Sequence, residues 1–225
     1  MTRPLADILL DTAAGSRRLR AVSTQRSDGD VHPSHATPGE LERRQITATG
    51  RPWTMLDQRH GIDVLEAPAS GVGDVGFTTD PDTDIAVWAA DCAPRVLGAD
   101  DGTLVAAHGG WRGLAAGVVD AAVTTARQGG GDVAVALLGP VIGPCCYEFG
   151  GDDLATIPDA VTSRTAAGAA ALDVPATIAA MLRRHDIELR FTETCTGCDD
   201  RWFSHRVRAE PSRHAVVAWW ERADD

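Results

Sequence analysis

The chain has 225 residues, of which 44% are hydrophobic, and this length is enough to bury a full core. Its formal net charge is −11, and its arginines are scattered along the chain instead of gathered in one run. Nucleic acids and anionic membranes bind positive surfaces, so this charge argues against both as partners. Small neutral ligands, and ligands held in a local pocket, remain possible binding partners.

The apolar stretch near the N-terminus is too short for a signal peptide, and no later segment reaches the roughly 18 apolar residues of a membrane-spanning helix. We therefore expect a cytoplasmic protein. The odd number of cysteines, in a chain too large to need disulfides, favours reduced thiols. These cysteines are Cys92, Cys145, Cys146, Cys195 and Cys198.

The first half of the chain predicts strands from residue 84 onward. Before that point, LADILLDT fits a helix or a strand, and SDGDVHPSHATPGE is typical of a loop. DIAVWAADC and GTLVAAH are short apolar runs of the kind found in buried strands. GADDG between them predicts a hairpin turn.

The second half alternates helices and strands. LAAGVVDAAVTTARQGGG predicts one helix that stops at the glycines, with an apolar face of Leu114, Val118, Ala121, Ala122 and Thr125. DVAVALLGPVIG predicts a strand, PATIAAMLRRHDIE a helix, and ELRFTET and HAVVAWWE the last two strands. This alternation indicates a mixed α/β fold without repeats or a clear linker.

The hairpin places Cys92 near His108. A turn of four residues would put His108 opposite residue 93, and a turn of two residues would put it opposite Arg95. In either register, Cys92 and His108 lie at the same end of neighbouring strands.

His60, in MLDQRHGIDV, also ends an apolar-leaning segment just before a glycine. With Cys92 and His108 it would complete the three-ligand set of an open, catalytic zinc site, in which the ion activates water or a substrate group. The alternative is that these are ordinary hydrogen-bonded structural residues. After His108, glycines 109 and 110 allow the backbone to approach a ligand closely, and Arg112 is either an anion-binding group or a solvent-exposed arginine.

Two further cysteine motifs invite interpretation. In GPVIGPCCYEFG the adjacent cysteines are expected to point to opposite faces, which would prevent them from binding one ion. In CTGCDDRWFSHR the C-x-x-C pair is either a redox pair or half of a structural zinc site. No second C-x-x-C follows to complete such a site, but Cys145 or Cys146 together with His205 could do so.

Taken in order, QRHG, AADCAPRVL, AAHGGWRGLAAGVV, GPVIGPCCYEFG and CTGCDDRWFSHR resemble the YfiH family. This family is also called the laccase-domain or multicopper polyphenol oxidase family, and its members are described as purine nucleoside phosphorylases. The resemblance covers roughly residues 53 to 220. It implies a layered αββα fold with mixed sheets and one zinc ion held by His60, Cys92 and His108.

The resemblance also implies cleavage of adenosine, inosine, guanosine or methylthioadenosine by phosphate, with adenosine deamination as a companion activity. We expect one domain over residues 1–225, monomeric or in a small homo-oligomer, with residues 1–50 divergent from the family. Arg112 is expected to bind phosphate, and Arg26, in the divergent segment, to contact substrate. Asp91 is a candidate for proton transfer or for orienting a metal ligand, although a role in capping backbone amides is equally consistent with its position.

Two other activities fit parts of the same pattern. A metal-free cysteine hydrolase would use Cys92 as nucleophile and His108 as base. A polyphenol oxidase of the laccase type would need copper bound by many histidines. Copper is disfavoured, because four of the seven histidines lie outside the shared motifs and no H-x-H pair occurs. A non-catalytic binding role is the remaining alternative, should the divergent N-terminus have removed the substrate pocket.

Overall fold

The computed structural model describes residues 2–12, 15–191 and 193–222. The strands are β1 (Arg3–Thr12), β2 (Gly15–Ser23), β3 (Thr54–Met55), β4 (Val64–Glu66), β5 (Val75–Thr78), β6 (Ile85–Ala89), β7 (Ala93–Ala99), β8 (Leu104–Gly109), β9 (Val133–Leu138), β10 (Thr162–Arg164), β11 (Ala170–Leu172), β12 (Leu189–Phe191) and β13 (His214–Arg222). The helices are α1 (Pro38–Thr49), α2 (Trp111–Ala116), α3 (Val118–Ala126), α4 (Asp152–Ala155), α5 (Val174–Arg183) and α6 (His205–Arg208). Within these ranges, every helix is too short or too polar to cross a membrane.

Two mixed sheets pack face to face between helices. One sheet has the order β1-β2-β13-β6-β3 and the other β12-β9-β7-β8-β5-β4. Apolar side chains from both sheets, such as Leu19, Val96 and Trp220, fill the space between them. Helices α3 and α5 cover the outer face of the second sheet, and Leu41 of α1 packs on the outer face of the first. The expected αββα layering is confirmed.

Most predicted elements are present, but one helix prediction and one loop prediction were wrong. The single helix expected from residue 114 is two helices, α2 and α3, because Gly117 adopts a left-handed conformation with φ 94° and ends the first of them. Helix α1 begins inside the segment expected to be a loop. Its start is marked by a capping box between Thr37 and Glu40, a signal visible in the sequence as T-P-G-E.

In the segment DIAVWAADC, the predicted strand is β6 and it ends at Ala89. Strand β6 belongs to the first sheet and β7 to the second, so residues 90–92 carry the chain from one sheet to the other. In the β7–β8 hairpin, His108 lies opposite Pro94, so both expected registers were wrong by one residue. The turn has three residues because Gly102, at φ 93°, donates its N–H to the carbonyl of Ala99.

Candidate metal centre and cleft

Three predicted ligands converge where the chain passes between the sheets. His60 lies in the turn before β4, Cys92 in the link from β6 to β7, and His108 near the end of β8. Their ligand atoms all lie within 4.8 Å of one another, and Cys92 Sγ is 3.6 Å from His60 Nε2. Two histidines and one thiol at such distances have the composition of an open zinc site.

Asp74 positions two of these side chains and was missed in the sequence. Its Oδ1 accepts the N–H of His60 at 3.0 Å and Nδ1–H of His108 at 2.8 Å. Its Oδ2 accepts the N–H groups of Arg59 at 3.0 Å and Gly61 at 2.7 Å. Because Nδ1 of His108 is engaged, Nε2 is the nitrogen left for an ion, as is usual for metal-binding histidines.

The backbone around the site is held in uncommon conformations. His60 and Asp91 have φ values of 63° and 84°, in a region that residues other than glycine seldom adopt. The Asp74 carboxylate holds the His60 turn in this conformation. Gln58, the first residue of the QRHG motif, fixes the same segment to β6 by exchanging two hydrogen bonds with the backbone of Trp88.

The two glycines of AAHGGWRG are required for close approach. A Cβ on Gly110 would lie 2.3 Å from Cδ2 of His60 and 3.2 Å from Sγ of Cys92. A Cβ on Gly109 would lie 2.3 Å from Nη1 of Arg95. Burial lowers the pKa of Arg95 to about 10 in spite of nearby Asp74, and among the described residues its buried guanidinium finds no hydrogen-bond partner. A side chain at position 109 would therefore collide with the guanidinium of Arg95.

Cys92 and His108 stabilise each other's charged forms. Burial opposes ionisation of the Cys92 thiol, but the imidazoles of His108 and His60 outweigh it and lower the pKa of Cys92 to about 6. Burial likewise opposes protonation of His108, but Cys92 and Asp74 raise its pKa to about 9. The protein alone thus favours a thiolate facing a protonated imidazole, and a thiolate is the form of cysteine that binds metals.

A cleft of about 330 Å³ opens beside these three residues. Three arginines line it: Arg112, Arg206 and Arg213. Aromatic rings line it as well, from Trp88, Trp111 and Tyr147. Of these, only Arg112 was predicted as a binding residue, although Arg206 lies in the CTGCDDRWFSHR motif. The cleft therefore combines guanidinium groups that can bind an anion with flat aromatic surfaces.

The side chains of Asp91 and Arg26 are both engaged by other groups of the protein. Asp91 lines the cleft, but its Oδ1 accepts the hydroxyl of Thr196 and its Oδ2 accepts the N–H of Arg206, both at 2.6 Å. The Arg26 guanidinium lies outside the cleft lining, paired with Glu210 at 2.6 Å and donating to the carbonyls of Asp200 and Trp202. The structure thus brings Arg112 and Asp91 to the site but not Arg26.

The other four cysteines form a second cluster, which we call the four-cysteine cluster: Cys145, Cys146, Cys195 and Cys198. Their sulfurs all lie within 4.8 Å of one another. The expectation that the adjacent cysteines face opposite sides was wrong. Residues 143–147 form a helical turn, in which Cys146 and Tyr147 donate to the carbonyl of Gly143, and this places the adjacent sulfurs 3.8 Å apart.

Solved structures share this fold. YlmD from Geobacillus stearothermophilus superposes with a TM-score of 0.80 at 21% identity, over 96% of this chain and 100% of that one. The hypothetical protein YfiH of Bacillus licheniformis gives a TM-score of 0.77 at 20% identity, over 89% and 92% of the two chains. The chain therefore has the YfiH-type fold.

Sequence comparison gives the family. Residues 27–221 match the family described as multi-copper polyphenol oxidoreductase laccase, and the chain belongs to it. Relatives named purine nucleoside phosphorylase include one from Pseudomonas aeruginosa, 42% identical over 50% of this chain and 48% of its own length. YfiH of Escherichia coli is 38% identical, with 62% of each chain covered. The alignments thus span about half and about three fifths of these two relatives. A Mycobacterium bovis relative is 32% identical over 94% of this chain and 96% of its own.

Proposed function

We propose that this protein is a zinc-dependent purine nucleoside phosphorylase. The observation that carries the proposal is the convergence of His60, Cys92 and His108 on a cleft lined by three arginines and three aromatic rings. The names of relatives at 32–42% identity support the same activity. A cleft of about 330 Å³ is within the usual range for small-molecule sites.

The residues fit a zinc ion. His108 is oriented by Asp74, Cys92 favours its thiolate form, and the missing Cβ at Gly110 leaves His60 and Cys92 free to approach each other. When bound by these three residues, zinc would supply a Lewis acid that polarises a substrate oxygen. A multicopper oxidase needs several copper centres bound by histidines. Among the described residues, the other group that could bind a metal is the four-cysteine cluster, which contains no histidine, so the residues fit such an oxidase poorly.

We assign phosphate binding to the three cleft arginines. Guanidinium groups form paired hydrogen bonds with phosphate oxygens, and three of them would offset the negative charge of the dianion in this otherwise acidic chain. In phosphorolysis a phosphate oxygen bonds to C1′ of the ribose as the C1′–N9 bond breaks, and the purine leaves with the electron pair and takes up a proton. Arg112, Arg206 and Arg213 would hold the attacking phosphate in place.

The aromatic residues are suited to the purine. The Trp88 ring contacts two histidine rings, with centroids 4.8 Å from His32 and 6.3 Å from His108. Trp111, also in the cleft lining, packs on Phe149 with centroids 5.5 Å apart, which restrains the orientation of its ring. We infer that Asp91 acts as a positioning residue instead of a proton donor, because both of its oxygens already accept hydrogen bonds that anchor the Arg206 backbone.

The test is phosphate-dependent release of free base from adenosine, inosine, guanosine and methylthioadenosine. Removing one phosphate contact should raise the KM for phosphate in Arg206→Ala, and we expect at least about a tenfold rise, equivalent to about 1.4 kcal/mol. Arg184→Ala is the matched control, since Arg184 pairs with Asp120 and Asp159 outside the cleft lining. Base release that is independent of phosphate, or unchanged in Arg206→Ala, would contradict the proposal. Ammonia release in the same reactions would report adenosine deamination.

The Cys92–His108 pair also supports a second candidate, a metal-free cysteine hydrolase. A thiolate beside an imidazolium is the arrangement of cysteine nucleophiles. The two candidates differ in their response to metal removal. In a zinc enzyme, chelation should abolish the activity, and iodoacetamide should alkylate Cys92 only after the metal has been removed. A cysteine hydrolase would keep its activity in the presence of a chelator, and iodoacetamide would alkylate Cys92 even when no chelator is added.

A further inference from the structure

We propose that the four-cysteine cluster is a second metal site, a structural Zn²⁺ site closed by four thiolates. It is separate from the site of the proposed activity. Its ligands come from two places in the chain, the turn after β9 and the C-T-G-C turn before α6. Four cysteine ligands from two short turns are typical of structural zinc sites.

The distances between the sulfurs fit one tetrahedral ion. Zinc–sulfur bonds of about 2.3 Å place the sulfurs of a tetrahedral site about 3.8 Å apart. Here Cys198 Sγ lies 3.4 Å from Cys145 Sγ and 3.3 Å from Cys146 Sγ, and the sulfurs of Cys145 and Cys146 are 3.8 Å apart. Cys198 is thus nearly equidistant from two partners, which a single disulfide would not require. The thiolate set also favours zinc over harder divalent ions.

The backbone is shaped around these sulfurs. The N–H of Gly143 donates to Cys195 Sγ at 3.1 Å, and the N–H groups of Cys198 and Asp199 both donate to the carbonyl of Cys195. A Cβ on Gly197 would lie 2.8 Å from Cβ of Cys146 and 2.9 Å from its sulfur. Only glycine therefore allows the two turns to meet at this distance.

An arginine stabilises the C-T-G-C turn through hydrogen bonds to its backbone. Arg208 donates to the carbonyls of Gly197 at 3.1 Å and Thr196 at 3.0 Å. Its positive charge lies beside a group that would carry two net negative charges when four thiolates hold one Zn²⁺. The same guanidinium contacts Glu210, so the turn is fixed to the segment that precedes β13.

The position of the cluster gives the proposed ion a role in the cleft. The first cysteine turn continues directly into Tyr147, which lines the cleft. The second contains Thr196, which donates to Asp91, and leads into Arg206, whose N–H is held by the same carboxylate. An ion that joins the two turns would therefore hold two walls of the cleft at a fixed separation.

The test uses metal analysis of the full-length Cys92→Ala protein, in which the three-ligand centre is disabled. We expect this protein to keep about one zinc per chain, and Cys92→Ala/Cys198→Ser to lose it. Cys92→Ala/Cys198→His should retain the metal, because structural zinc sites also accept three cysteines and one histidine. Exchange of Co²⁺ into the Cys92→Ala protein should produce the sulfur-to-cobalt charge-transfer absorption of four thiolates, a readout that holds even if the serine variant fails to fold.

Two results would show that the four-cysteine cluster does not bind zinc. Metal-free Cys92→Ala protein with no cobalt charge-transfer band would overturn the proposal, as would a disulfide found by mass analysis under non-reducing conditions. Because the measurement is made without the Cys92 site, it is independent of nucleoside activity. Zinc retained in Cys92→Ala but absent from Cys92→Ala/Cys198→Ser would support the four-cysteine site even if no phosphorolysis is found.

Discussion

Replacing Asp74 by asparagine tests how the metal ligands are positioned. The carboxylate accepts four hydrogen bonds, two on each oxygen, from three backbone N–H groups and from His108. An asparagine keeps one oxygen and presents an NH₂ group in place of the other. Whichever way the amide turns, two donors then face an N–H group instead of an acceptor.

The magnitude follows from that count. A hydrogen bond to a charged group contributes about 1.5–3 kcal/mol, so losing two of them should lower the free energy of unfolding by about 3–6 kcal/mol. If His108 escapes the clash by moving its proton to Nε2, that nitrogen can no longer bind an ion. Metal affinity should then fall by about 10- to 100-fold, as for other partners of metal-binding histidines.

Urea unfolding and competition with a chelator measure these two effects. The control is Asp63→Asn, the same substitution at an exposed residue just before β4, whose backbone carbonyl accepts the N–H of Asp74; it should change stability by less than about 0.5 kcal/mol. An Asp74→Asn protein within about 1 kcal/mol of wild type, with unchanged metal affinity, would refute the role assigned to Asp74.

Three other predictions follow from contacts described above. Gly109→Ala should lower the free energy of unfolding by about 1–3 kcal/mol, because the added Cβ would meet the guanidinium of Arg95. In a double-mutant cycle, Arg95→Ala should relieve most of this cost, and additive effects would contradict the contact. Gly110→Ala should displace His60 and reduce zinc at the His–Cys–His site while sparing the four-cysteine cluster; full zinc content would count against the site. Burial raises the pKa of Glu210, but hydrogen bonds from Arg26, Ser204 and Arg208 outweigh it and lower the pKa from 4.5 to about 2, so its stabilisation is present above pH 4.5 and lost as pH falls through about 2. Because solvent screens much of this partly exposed ion pair, Glu210→Gln should lower the free energy of unfolding by about 1 kcal/mol at pH 7 and flatten the acid limb of the stability profile; an unchanged limb would contradict this.

The layers of the fold and the gathering of His60, Cys92 and His108 follow from local sequence patterns. Apolar runs predict β6 and β8, and Cys92, in the link that leads from β6 into β7, lies beside the end of β8 whatever the turn length. For this reason His60, Cys92 and His108 converge even though the expected hairpin register was off by one residue.

Other features depend on long-range contacts that no local pattern encodes. Asp74 reaches His108 across 34 positions, and Asp91 reaches Arg206 across 115. The adjacent cysteines were misread because the alternation of side chains applies only to extended chain, whereas residues 143–147 turn. Arg26 lies in a segment without regular periodicity, so its pairing with Glu210 had no signal in the sequence.

We propose that His60, Cys92 and His108 hold a catalytic zinc ion. The most direct measurement is zinc and copper content, with phosphate-dependent release of adenine from adenosine, for wild type and Cys92→Ala. We predict about two zinc ions per chain in wild type, with one lost together with the activity in Cys92→Ala, and no copper. Equal zinc content in the two proteins, several copper ions per chain, or full activity in Cys92→Ala would contradict the claim.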